Sequence, residues 1–299
     1  MEKPRLQAQS VLYKNEKAAL RRAAEYLANA LRVERELEGA IGEATLCWGD
    51  ASPAPLFSET EIASLNRSLS GALRVSYRFF DRNTGSALGH NLLGLESEAE
   101  LLLIMNPDVL LAPRSLLALH RALREEKTAL AEARQTPLEH PKVYDEKTLS
   151  TPWSATACAL LRGDAFRRLG GFDSDSFFLY GDDVDLSWRL RLAGYRLRYC
   201  PEAPVCHPKR LDAQGRWEPT EAERYYSAEC ALLLSYKWSR PKRLRRLLES
   251  FASGGQAERA AAAAFERRRR EGKLPPQLDA ERRVASFEGG AYSAMRYFY

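Results

Sequence analysis

The chain has 299 residues, of which 45% are apolar and 28% are charged, a balance typical of a globular protein with a sizeable core. That balance excludes disorder over the whole length. The longest uninterrupted apolar runs, such as Leu101 to Met105, are far shorter than the roughly 18 residues of a membrane-spanning helix. The residues after Met1 contain no secretory apolar stretch, so we expect a cytoplasmic protein.

The formal net charge of +5 conceals an uneven distribution. Residues 237–299 hold 15 lysines and arginines against 7 aspartates and glutamates, a balance of +8, which leaves residues 1–236 at −3. A mildly acidic body therefore carries a basic C-terminal segment, and the two parts need separate explanations.

The cysteines are odd in number, widely spaced, and include no Cys-x-x-Cys pair. This pattern argues against a disulfide framework and against a structural zinc site. We therefore expect buried, reduced thiols at Cys47, Cys158, Cys200, Cys206 and Cys230.

Strands and helices alternate in the first part of the chain. Short apolar-leaning segments predict strands at Leu6 to Tyr13, Ala44 to Trp48, Leu73 to Phe80 and Leu101 to Met105. Apolar residues at helical spacing predict a helix over Glu16 to Arg32, and Ser58 with Glu61 has capping-box spacing at the start of another. Such alternation indicates right-handed strand-helix-strand units and a mostly parallel sheet, whose ligands bind beyond the carboxyl ends of the strands.

Polar or turn-forming residues follow each predicted strand and are the first candidates for a binding site. They are Asn15, Asp50 and Ser52, the segment from Asn83 to Asn91, and Asn106-Pro107-Asp108. Asp108 comes directly after a buried strand, where its carboxylate could hold a hard divalent cation that bridges two phosphates. An ordinary Asn-Pro-Asp turn explains the same residues, and both interpretations stay open at this point.

A cluster of aspartates at Asp182-Asp183-Val184-Asp185 follows the aromatic stretch Phe177 to Tyr180. Carboxylates this close repel one another, which raises the proton affinity of some of them and lowers stability unless a cation, hydrogen bonds or a function compensates. The residues that follow predict a helix starting near Asp182 or Asp183, whose N-terminal dipole stabilises negative charge. A plain helix start explains one or two aspartates, so the cluster of three predicts a functional site.

Several motifs occur in a fixed order between Val11 and His207. They are Asn83-x-Gly85 to Gly89-His90-Asn91, Asn106-Pro107-Asp108-Val109, Gly170-Gly171-Phe172-Asp173, the aromatic and acidic stretch from Phe177 to Leu186, and Pro201 to His207. In order and spacing this set resembles the inverting family 2 glycosyltransferases, especially their rhamnosyltransferase-like branch. Each motif alone is weak, whereas the ordered set is specific.

The resemblance implies an α/β protein with the GT-A fold, in which helices flank a Rossmann-like, mostly parallel central sheet. It also implies a nucleotide-diphosphate sugar donor and a Mg²⁺ or Mn²⁺ ion. Asp108 takes the position of the metal-binding aspartate, and Asp183 takes that of the catalytic base. The residues expected around the nucleotide are Asn15, Asp50, Ser52, Asn83 and Asn91.

Alternatives remain for the other candidates. His207 could complete the metal shell or touch the diphosphate, although a lone histidine is more often structural. Trp153 could stack on an acceptor sugar ring or pack in the core, and Asp182 and Asp185 complete the predicted acceptor site.

Departures from the usual family residues are Asp182 for Glu, Gly49-Asp50 for Asp-Asn, and Thr156-Ala157 for Gly-Ala. These departures leave the substrate less determined than the reaction type.

The basic C-terminal segment interleaves apolar and basic residues between Leu233 and Phe251, a pattern typical of an amphipathic helix that Pro241 interrupts. Such a helix could lie on an anionic membrane surface, or it could form an oligomer contact or a solvated face. No nucleic-acid motif accompanies Arg267 to Arg270, and we expect no nucleic-acid partner. The predicted division is a GT-A domain over residues 1–235 and a basic helical appendage over residues 236–299.

The sequence therefore predicts an enzyme: a metal-dependent inverting glycosyltransferase that moves a sugar, with rhamnose as one candidate, to a hydroxyl of a polysaccharide or glycolipid acceptor. Peripheral contact with the inner face of the membrane and a homo-oligomer are compatible with this prediction. The alternatives are a catalytically silent scaffold that kept the fold, and a transferase of a different sugar. Repulsion among Asp182, Asp183 and Asp185 favours an enzyme, because a silent protein gains nothing from tolerating it.

Overall fold

An eight-stranded sheet forms the centre of the computed structural model, which describes residues 2–139, 143–208, 213–214 and 218–287. Its strands are β1 (Leu6–Leu12), β2 (Ala44–Asp50), β3 (Arg74–Phe79), β4 (Leu101–Met105), β5 (Leu110–Leu111), β6 (Thr128–Thr136), β7 (Cys158–Arg162) and β8 (Arg196–Cys206). The helices are α1 (Lys17–Leu37), α2 (Glu59–Ser68), α3 (Gly85–Gly94), α4 (Ser115–Leu123), α5 (Gly163–Arg168), α6 (Asp182–Leu192), α7 (Glu221–Lys237), α8 (Pro241–Ala252) and α9 (Gln256–Arg270). Within the described ranges, none of these helices combines the length and the apolar character that crossing a bilayer requires.

Parallel pairing joins the first four strands, and the whole sheet has the order β3-β2-β1-β4-β7-β6-β8-β5. β1 pairs parallel with β2 and β4, and β2 pairs parallel with β3. The four strands predicted from the sequence are confirmed, and their carboxyl ends meet at one edge of the sheet. β7 runs antiparallel to both β4 and β6, so the second half of the sheet is mixed rather than mostly parallel.

Strand β4 separates two apolar cores. Leu103 and Met105 face the core that includes α1 and α4, whereas Leu102 and Ile104 face the core that includes α5 and α6. Because successive side chains of a strand point to opposite faces, a strand covered on both sides needs a continuous apolar run. The interpretation of Leu101 to Met105 as such a strand is confirmed.

The start of α2 shows how local side chains set a helix boundary. The Ser58 hydroxyl oxygen accepts a hydrogen bond from the Glu61 amide, and the Glu61 carboxylate accepts one of 2.9 Å from the Ser58 amide. Two amides that the chain would otherwise leave without partners at this helix start are thereby satisfied, and the predicted capping box is confirmed.

The segment after β3 forms a helix where the sequence suggested a polar loop. Most of the stretch from Asn83 to Asn91 belongs to α3, and neighbouring segments approach its glycines closely. A Cβ on Gly85 would lie 2.3 Å from the Phe178 carbonyl oxygen, and a Cβ on Gly89 would lie 2.6 Å from the Val11 side chain. The glycines therefore serve close packing of α3 against β1 and against the loop before α6.

Helices α7, α8 and α9 share a core with α6. Trp188 of α6 contacts Trp238 after α7, with ring centroids 5.2 Å apart. The apolar residues of α8 that are buried in the same cluster are Leu244, Leu247 and Phe251. The apolar face of α8 is thus covered by the protein itself. Because α7 runs across residue 235, both sides of the proposed domain boundary belong to one helix, and that boundary stays a prediction.

All five cysteines are free, in agreement with the expected reduced thiols. Cys158, Cys200 and Cys230 are buried, and Cys47 is half-buried. Cys206 is exposed, so the prediction of burial is wrong at this position. It is the last residue of β8, where Val205 beside it takes the inward position and Cys206 takes the outward one.

Candidate active site

The ends of β1 and β2 bring two of the predicted nucleotide-binding residues into adjoining turns. The Ser52 hydroxyl oxygen, after β2, accepts a hydrogen bond of 2.8 Å from the Lys14 amide, after β1. Asn15 accepts one of 2.8 Å from the Tyr13 amide in the same turn as Lys14. Asn15 and Ser52 therefore lie at the edge of the sheet where a ligand is expected, and their contact with a nucleotide stays a prediction.

Asp50 ends β2 and is fully buried. Its carboxylate accepts hydrogen bonds from the Ser52 amide at 2.9 Å, the Leu56 amide at 2.8 Å and the Tyr77 hydroxyl at 2.5 Å. Burial, together with the bond to Asp50, raises the pKa of Tyr77 to about 12, so the phenol stays protonated and continues to donate. Asp50 organises the loop after β2, and its recognition of a nucleotide base stays a prediction.

The two asparagines at α3 have different surroundings. Asn83 is exposed, and its side-chain oxygen accepts a hydrogen bond of 3.2 Å from the Gly85 amide. Asn91 is buried, and its amide group both donates to the Phe172 carbonyl oxygen and accepts from the Phe172 amide, each at 2.8 Å. Because both ends of the Asn91 side chain are engaged, we reassign it from nucleotide contact to positioning of the loop at Gly171 and Phe172.

Asp108 and His207 form the clearest candidate metal site. Pairing of β5 with β8 aligns Leu110 with Cys206, which brings the turn after β4 beside the end of β8. His207 Nε2 lies 3.7 Å from Asp108 Oδ1, with side chains 6% and 37% exposed, respectively. Solvent therefore reaches the pair through Asp108, while the imidazole is held in the protein interior.

Two amide side chains contact the His207 ring. Gln135 Oε1 lies 2.8 Å from Nδ1, and Asn106 Nδ2 lies 3.1 Å from Nε2. The His207 backbone amide also donates to the Thr136 carbonyl oxygen at 2.8 Å. Neighbours on β6 and after β4 thus fix both the backbone and the ring of His207.

The donors of Asp108 and His207 fit a Mg²⁺ or Mn²⁺ ion that is bound together with a diphosphate. Mg²⁺ usually takes one or two carboxylates, several waters and phosphate oxygens, and imidazole is the commonest metal ligand in proteins. Among the residues that the structure describes, no group of three or more histidine, cysteine, aspartate or glutamate side chains could hold a metal. A cation at this pair would therefore need further oxygen ligands, such as those of water or of a bound phosphate.

One segment joins this metal candidate to helix α6. The Asn106 amide donates to the Ala157 carbonyl oxygen at 2.8 Å. Three residues before Ala157, the Ser154 amide donates to the Ser187 hydroxyl of α6 at 3.0 Å. Residues 154–157 thus connect the carboxyl end of β4 with the first half of α6 in one continuous region.

Asp182 and Asp183 begin helix α6 in different environments. Gly181, with a φ of 77°, turns the chain into the helix, and a Cβ there would lie 2.8 Å from the Cys230 side chain. Asp182 is buried, and burial together with the nearby Asp183 charge raises its pKa to about 7. Ser86 hydrogen-bonds to Asp182, whose Oδ2 atom has no hydrogen-bond partner within the described residues. Asp183 is half-buried and is the more accessible carboxylate of the two.

Asp185 belongs to the protein interior. It is fully buried, and its oxygens accept hydrogen bonds from Arg189 Nε at 2.7 Å and Trp238 Nε1 at 3.0 Å. Lys237 Nζ lies 2.7 Å from it as an ion-pair partner. Both oxygens are engaged by these groups, so we reassign Asp185 from acceptor binding to structure. The repulsion expected from the cluster is then confined to Asp182 and Asp183.

Trp153 is 4% exposed and belongs to the core that contains Phe177 and Trp188. This placement favours the packing alternative over stacking on an acceptor sugar. Phe178 and Tyr226 are instead half-exposed near the start of α6, with stacked rings whose centroids are 5.0 Å apart. Solvent therefore reaches the Phe178–Tyr226 pair but hardly reaches Trp153.

Two residues that matter here carried no functional signal in the sequence. Gln135 lies inside β6 rather than after a strand, so the search beyond strand ends missed it. Lys237 is the first residue of the basic C-terminal segment, yet its side chain is only 4% exposed. Its Nζ lies 2.6 Å from Asp173 Oδ2 and 2.7 Å from Asp185 Oδ1. A buried carboxylate such as Asp185 requires a compensating cation, and the sequence could not show which residue supplies it.

Comparison with known proteins matches residues 103–226 to the sequence model of glycosyl transferase family group 2. The chain is 39% identical over 82 residues to the N-acetylglucosaminyl-diphospho-decaprenol L-rhamnosyltransferase of Mycobacterium tuberculosis. It is 32% identical over 97 residues to the rhamnosyltransferase WbbL of Escherichia coli (strain K12). These alignments cover 27% and 30% of this chain, and the chain spans only 24% and 36% of the length of the two relatives.

Two solved structures share the fold over most of the chain. One is GalNAc-T7 with UDP, GalNAc and Mn²⁺, with a TM-score of 0.61, 12% identity, and coverage of 92% of this chain and 56% of that chain. The other is the mannosyltransferase PcManGT from Pyrobaculum calidifontis with GDP-Man and Mn²⁺, with a TM-score of 0.53, 17% identity, and coverage of 89% and 80%. The sheet and its helices therefore have the GT-A fold of glycosyltransferases, as predicted. Over residues 103–226 the sequence is similar to glycosyl transferase family group 2, and the two curated relatives described above are named rhamnosyltransferases.

Proposed function

We propose that the protein transfers a sugar from a nucleotide-diphosphate donor to a hydroxyl group of a glycan or glycolipid, with inversion at the anomeric carbon. The observation that carries this proposal is the pair Asp108 and His207, 3.7 Å apart beside the carboxyl end of β4. Asp108 and His207 would hold a divalent cation together with the donor, and this cation would supply positive charge against the negative charge that grows on the leaving diphosphate.

Asp183 is the proposed general base. Its carboxylate takes the proton of the acceptor hydroxyl as that oxygen attacks the anomeric carbon on the face opposite to the diphosphate. The bond between the anomeric carbon and the diphosphate oxygen breaks in the same displacement, and its electron pair leaves with the diphosphate. The N-terminal dipole of α6 stabilises the ionised form of a carboxylate at this position.

Asp182 is proposed to orient the acceptor beside this base. Its buried Oδ2 has no hydrogen-bond partner among the described residues, and a polar atom left in that state lowers stability until a ligand group satisfies it. An acceptor hydroxyl that enters next to Asp183 supplies such a group. The side chain of Asp182 is one methylene shorter than the Glu that is usual in the resembled family, which changes the geometry of this contact.

Rhamnose is the first sugar we propose, because the two curated relatives described above are named rhamnosyltransferases. The name of one of them contains a diphospho-decaprenol lipid, and we propose a lipid-linked glycan as the acceptor class here. Lys242, Arg245 and Arg246 are exposed on α8 and are the residues proposed to face an anionic membrane surface. The choice between Mg²⁺ and Mn²⁺ belongs to the same proposal.

The test is a panel of nucleotide sugars, screened for thermal stabilisation with Mn²⁺, with Mg²⁺ and with chelator. A donor at 100 times its Kd adds roughly 2.7 kcal/mol to the free energy of unfolding. We expect stabilisation by one nucleotide sugar that needs the metal, and we expect Asp108→Asn to lose it. Asp164→Asn, at an exposed position on α5, is the matched control and should retain it. Full transfer activity in chelator would contradict the metal role of Asp108, and stabilisation by a sugar donor other than a rhamnose donor would select a different sugar.

A further inference from the structure

The buried surroundings of His207 select one tautomer of its ring. Gln135 Oε1, which can only accept a hydrogen bond, lies 2.8 Å from Nδ1, so the ring proton is on Nδ1. Asn106 Nδ2, which can only donate, lies 3.1 Å from Nε2, so Nε2 carries the lone pair. The two amides are on opposite sides of the ring, and both favour the same tautomer.

In this tautomer the Nε2 lone pair accepts the hydrogen bond from Asn106, and Nε2 is also the ring nitrogen that lies near Asp108. A cation that binds Nε2 therefore takes the place of the Asn106 hydrogen bond. His207 Nε2 lies 3.7 Å from Asp108 Oδ1, and an imidazole nitrogen binds a cation only through its lone pair. The opposite tautomer would place a proton on Nε2 and would close this position to a cation. The proton on Nδ1 therefore decides whether Asp108 and His207 act as a pair.

Gln135 is held in place to make this contact. Its side chain is 5% exposed, and the β6–β8 register pairs Gln135 with Val205 and Thr136 with Cys206. The Thr136 carbonyl oxygen accepts from the His207 amide at 2.8 Å, so one strand fixes both the backbone and the ring of the histidine. The neutral amide of Gln135 accepts the ring proton without adding negative charge behind the imidazole.

We propose that Gln135 is a positioning residue that holds His207 with its proton on Nδ1, so that Nε2 and Asp108 present two ligands to a divalent cation bound with the nucleotide diphosphate. This inference rests on the proposed function. Partners of metal-binding histidines are often carboxylates, which raise the basicity of the ring. A glutamine gives the same orientation with less basicity, so the site binds the cation firmly only when the diphosphate contributes its own oxygens.

The experiment uses the full chain with three substitutions. Gln135→Met keeps the approximate volume and removes the acceptor, whereas Gln135→Glu keeps an acceptor and adds charge. Thr136→Val is the matched control, because the Thr136 hydroxyl donates to the Val205 carbonyl oxygen at 3.0 Å and is the next residue along the strand. Nitrogen-15 NMR of the histidine rings reports the His207 tautomer in the metal-free protein, and electron paramagnetic resonance reports Mn²⁺ binding with UDP or dTDP and without a nucleotide.

We expect Gln135→Met to show mixed tautomers and a loss of Mn²⁺ affinity of about 10- to 100-fold in the presence of the diphosphate. Gln135→Glu should keep the Nδ1–H tautomer and bind Mn²⁺ more tightly than the wild type without nucleotide, and Thr136→Val should match the wild type. An unchanged tautomer and unchanged Mn²⁺ affinity in Gln135→Met would overturn the inference alone. If Gln135→Met does not fold, unchanged nucleotide-free affinity in Gln135→Glu overturns it instead. A wild-type protein that binds no Mn²⁺ even with a diphosphate would contradict the proposed function as well.

Discussion

Aspartates that are neighbours in the sequence acquire different chemistry from their surroundings at the start of α6. Asp185 is buried against Lys237 and Arg189 and is closed to ligands. Asp182 is buried and has no such cation among the described residues, and its pKa rises to about 7, whereas Asp183 is half-buried at the helix start. Carboxylates whose environments differ in this way can divide the acid and base roles of a reaction between them.

The role of Asp183 as general base is tested by Asp183→Asn. The amide keeps the size of the side chain and removes its basicity, so we expect transfer to fall by about 10² to 10⁴ while donor binding changes little. Initial rates of sugar transfer and donor-dependent thermal stabilisation measure the two effects. Asp175→Asn, at an exposed position before α6, is the control and should remain fully active. Near-normal turnover in Asp183→Asn would show that another group takes the proton.

The raised pKa of Asp182 predicts a pH-dependent stability. Between the ordinary value of 3.8 and the folded-state value of about 7, the folded chain binds more protons at this residue than the unfolded chain does. The contribution of Asp182 to stability is therefore present at low pH and is lost as the pH rises toward about 7.

Asp182→Asn removes this titration. We expect the variant to gain stability relative to the wild type as the pH rises from about 4 to about 7, with a constant difference above that range. Urea unfolding of both proteins across this range gives the difference directly. A difference that does not change with pH would show that Asp182 is ionised in the folded protein throughout.

The sequence predicted where the candidate site residues lie when their position follows a strand or begins a helix. Asp108 after β4 and Asp183 at the start of α6 lie where that reasoning placed them. It could not show that Asp185 is closed to ligands, because the surroundings of Asp185 depend on Lys237, which is far away in the sequence. The partner of Asn91 in the loop at Phe172 is hidden for the same reason.

At the scale of secondary structure elements, Lys237 connects three segments. It lies in the last turn of α7, where a cation is favoured by the helix dipole. Its ammonium group contacts Asp185 in α6 and Asp173 in the loop before it, and it is almost completely buried. The element that carries Asp182 and Asp183 is thus held from the C-terminal helices.

Lys237→Met tests this connection. The substitution leaves the buried charge of Asp185 and the half-buried charge of Asp173 with less compensation, and breaking a buried ion pair from one side costs about 3 to 5 kcal/mol. We expect a loss of that order in the free energy of unfolding, measured by urea titration. Lys273→Met is the matched control, because its side chain is 71% exposed, and it should change stability little. Equal stability of the two variants would show that the buried contacts of Lys237 contribute nothing.

The predicted strands β1 to β4 and the capping box of α2 are confirmed because each depends on residues close in the sequence. The sheet order beyond β4 depends on contacts between distant segments, such as β7 entering antiparallel between β4 and β6. No local pattern encodes that choice. Helix α3 escaped prediction because its glycines serve contacts with Val11 and Phe178, which are distant in the sequence.

At the scale of the whole molecule, the basic C-terminal segment has two faces with separate roles. Its apolar residues on α8 are buried with α6 and α7, and Arg243 is buried with them, donating to the Ala231 carbonyl oxygen at 3.1 Å. The interleaved pattern in the sequence is therefore explained by packing inside the protein. The charges that remain outside, on Lys242, Arg245 and Arg246, are available for an electrostatic contact without insertion of apolar side chains.

The proposed membrane contact is tested by Arg245→Glu combined with Arg246→Glu. Each basic residue near an anionic surface contributes about 1 kcal/mol, and this attraction weakens as the Debye length shortens to about 3 Å at 1 M salt. We expect the wild type to sediment with phosphatidylserine-containing vesicles at low salt and to be released at high salt, and we expect the double variant to stay in solution. Arg243 is left unchanged because it is buried.

A control with the same change in net charge is Arg22→Glu combined with Arg35→Glu, at exposed positions on α1. It should bind vesicles like the wild type if the contact is local to α8, and weaker binding by both double variants would show that only net charge matters. Transfer to a soluble acceptor analogue should be equal in all three proteins, because α8 contributes none of the proposed catalytic residues. If the α8 variant binds vesicles normally but changes its elution on a sizing column, the basic face is a contact between subunits and the membrane proposal is wrong.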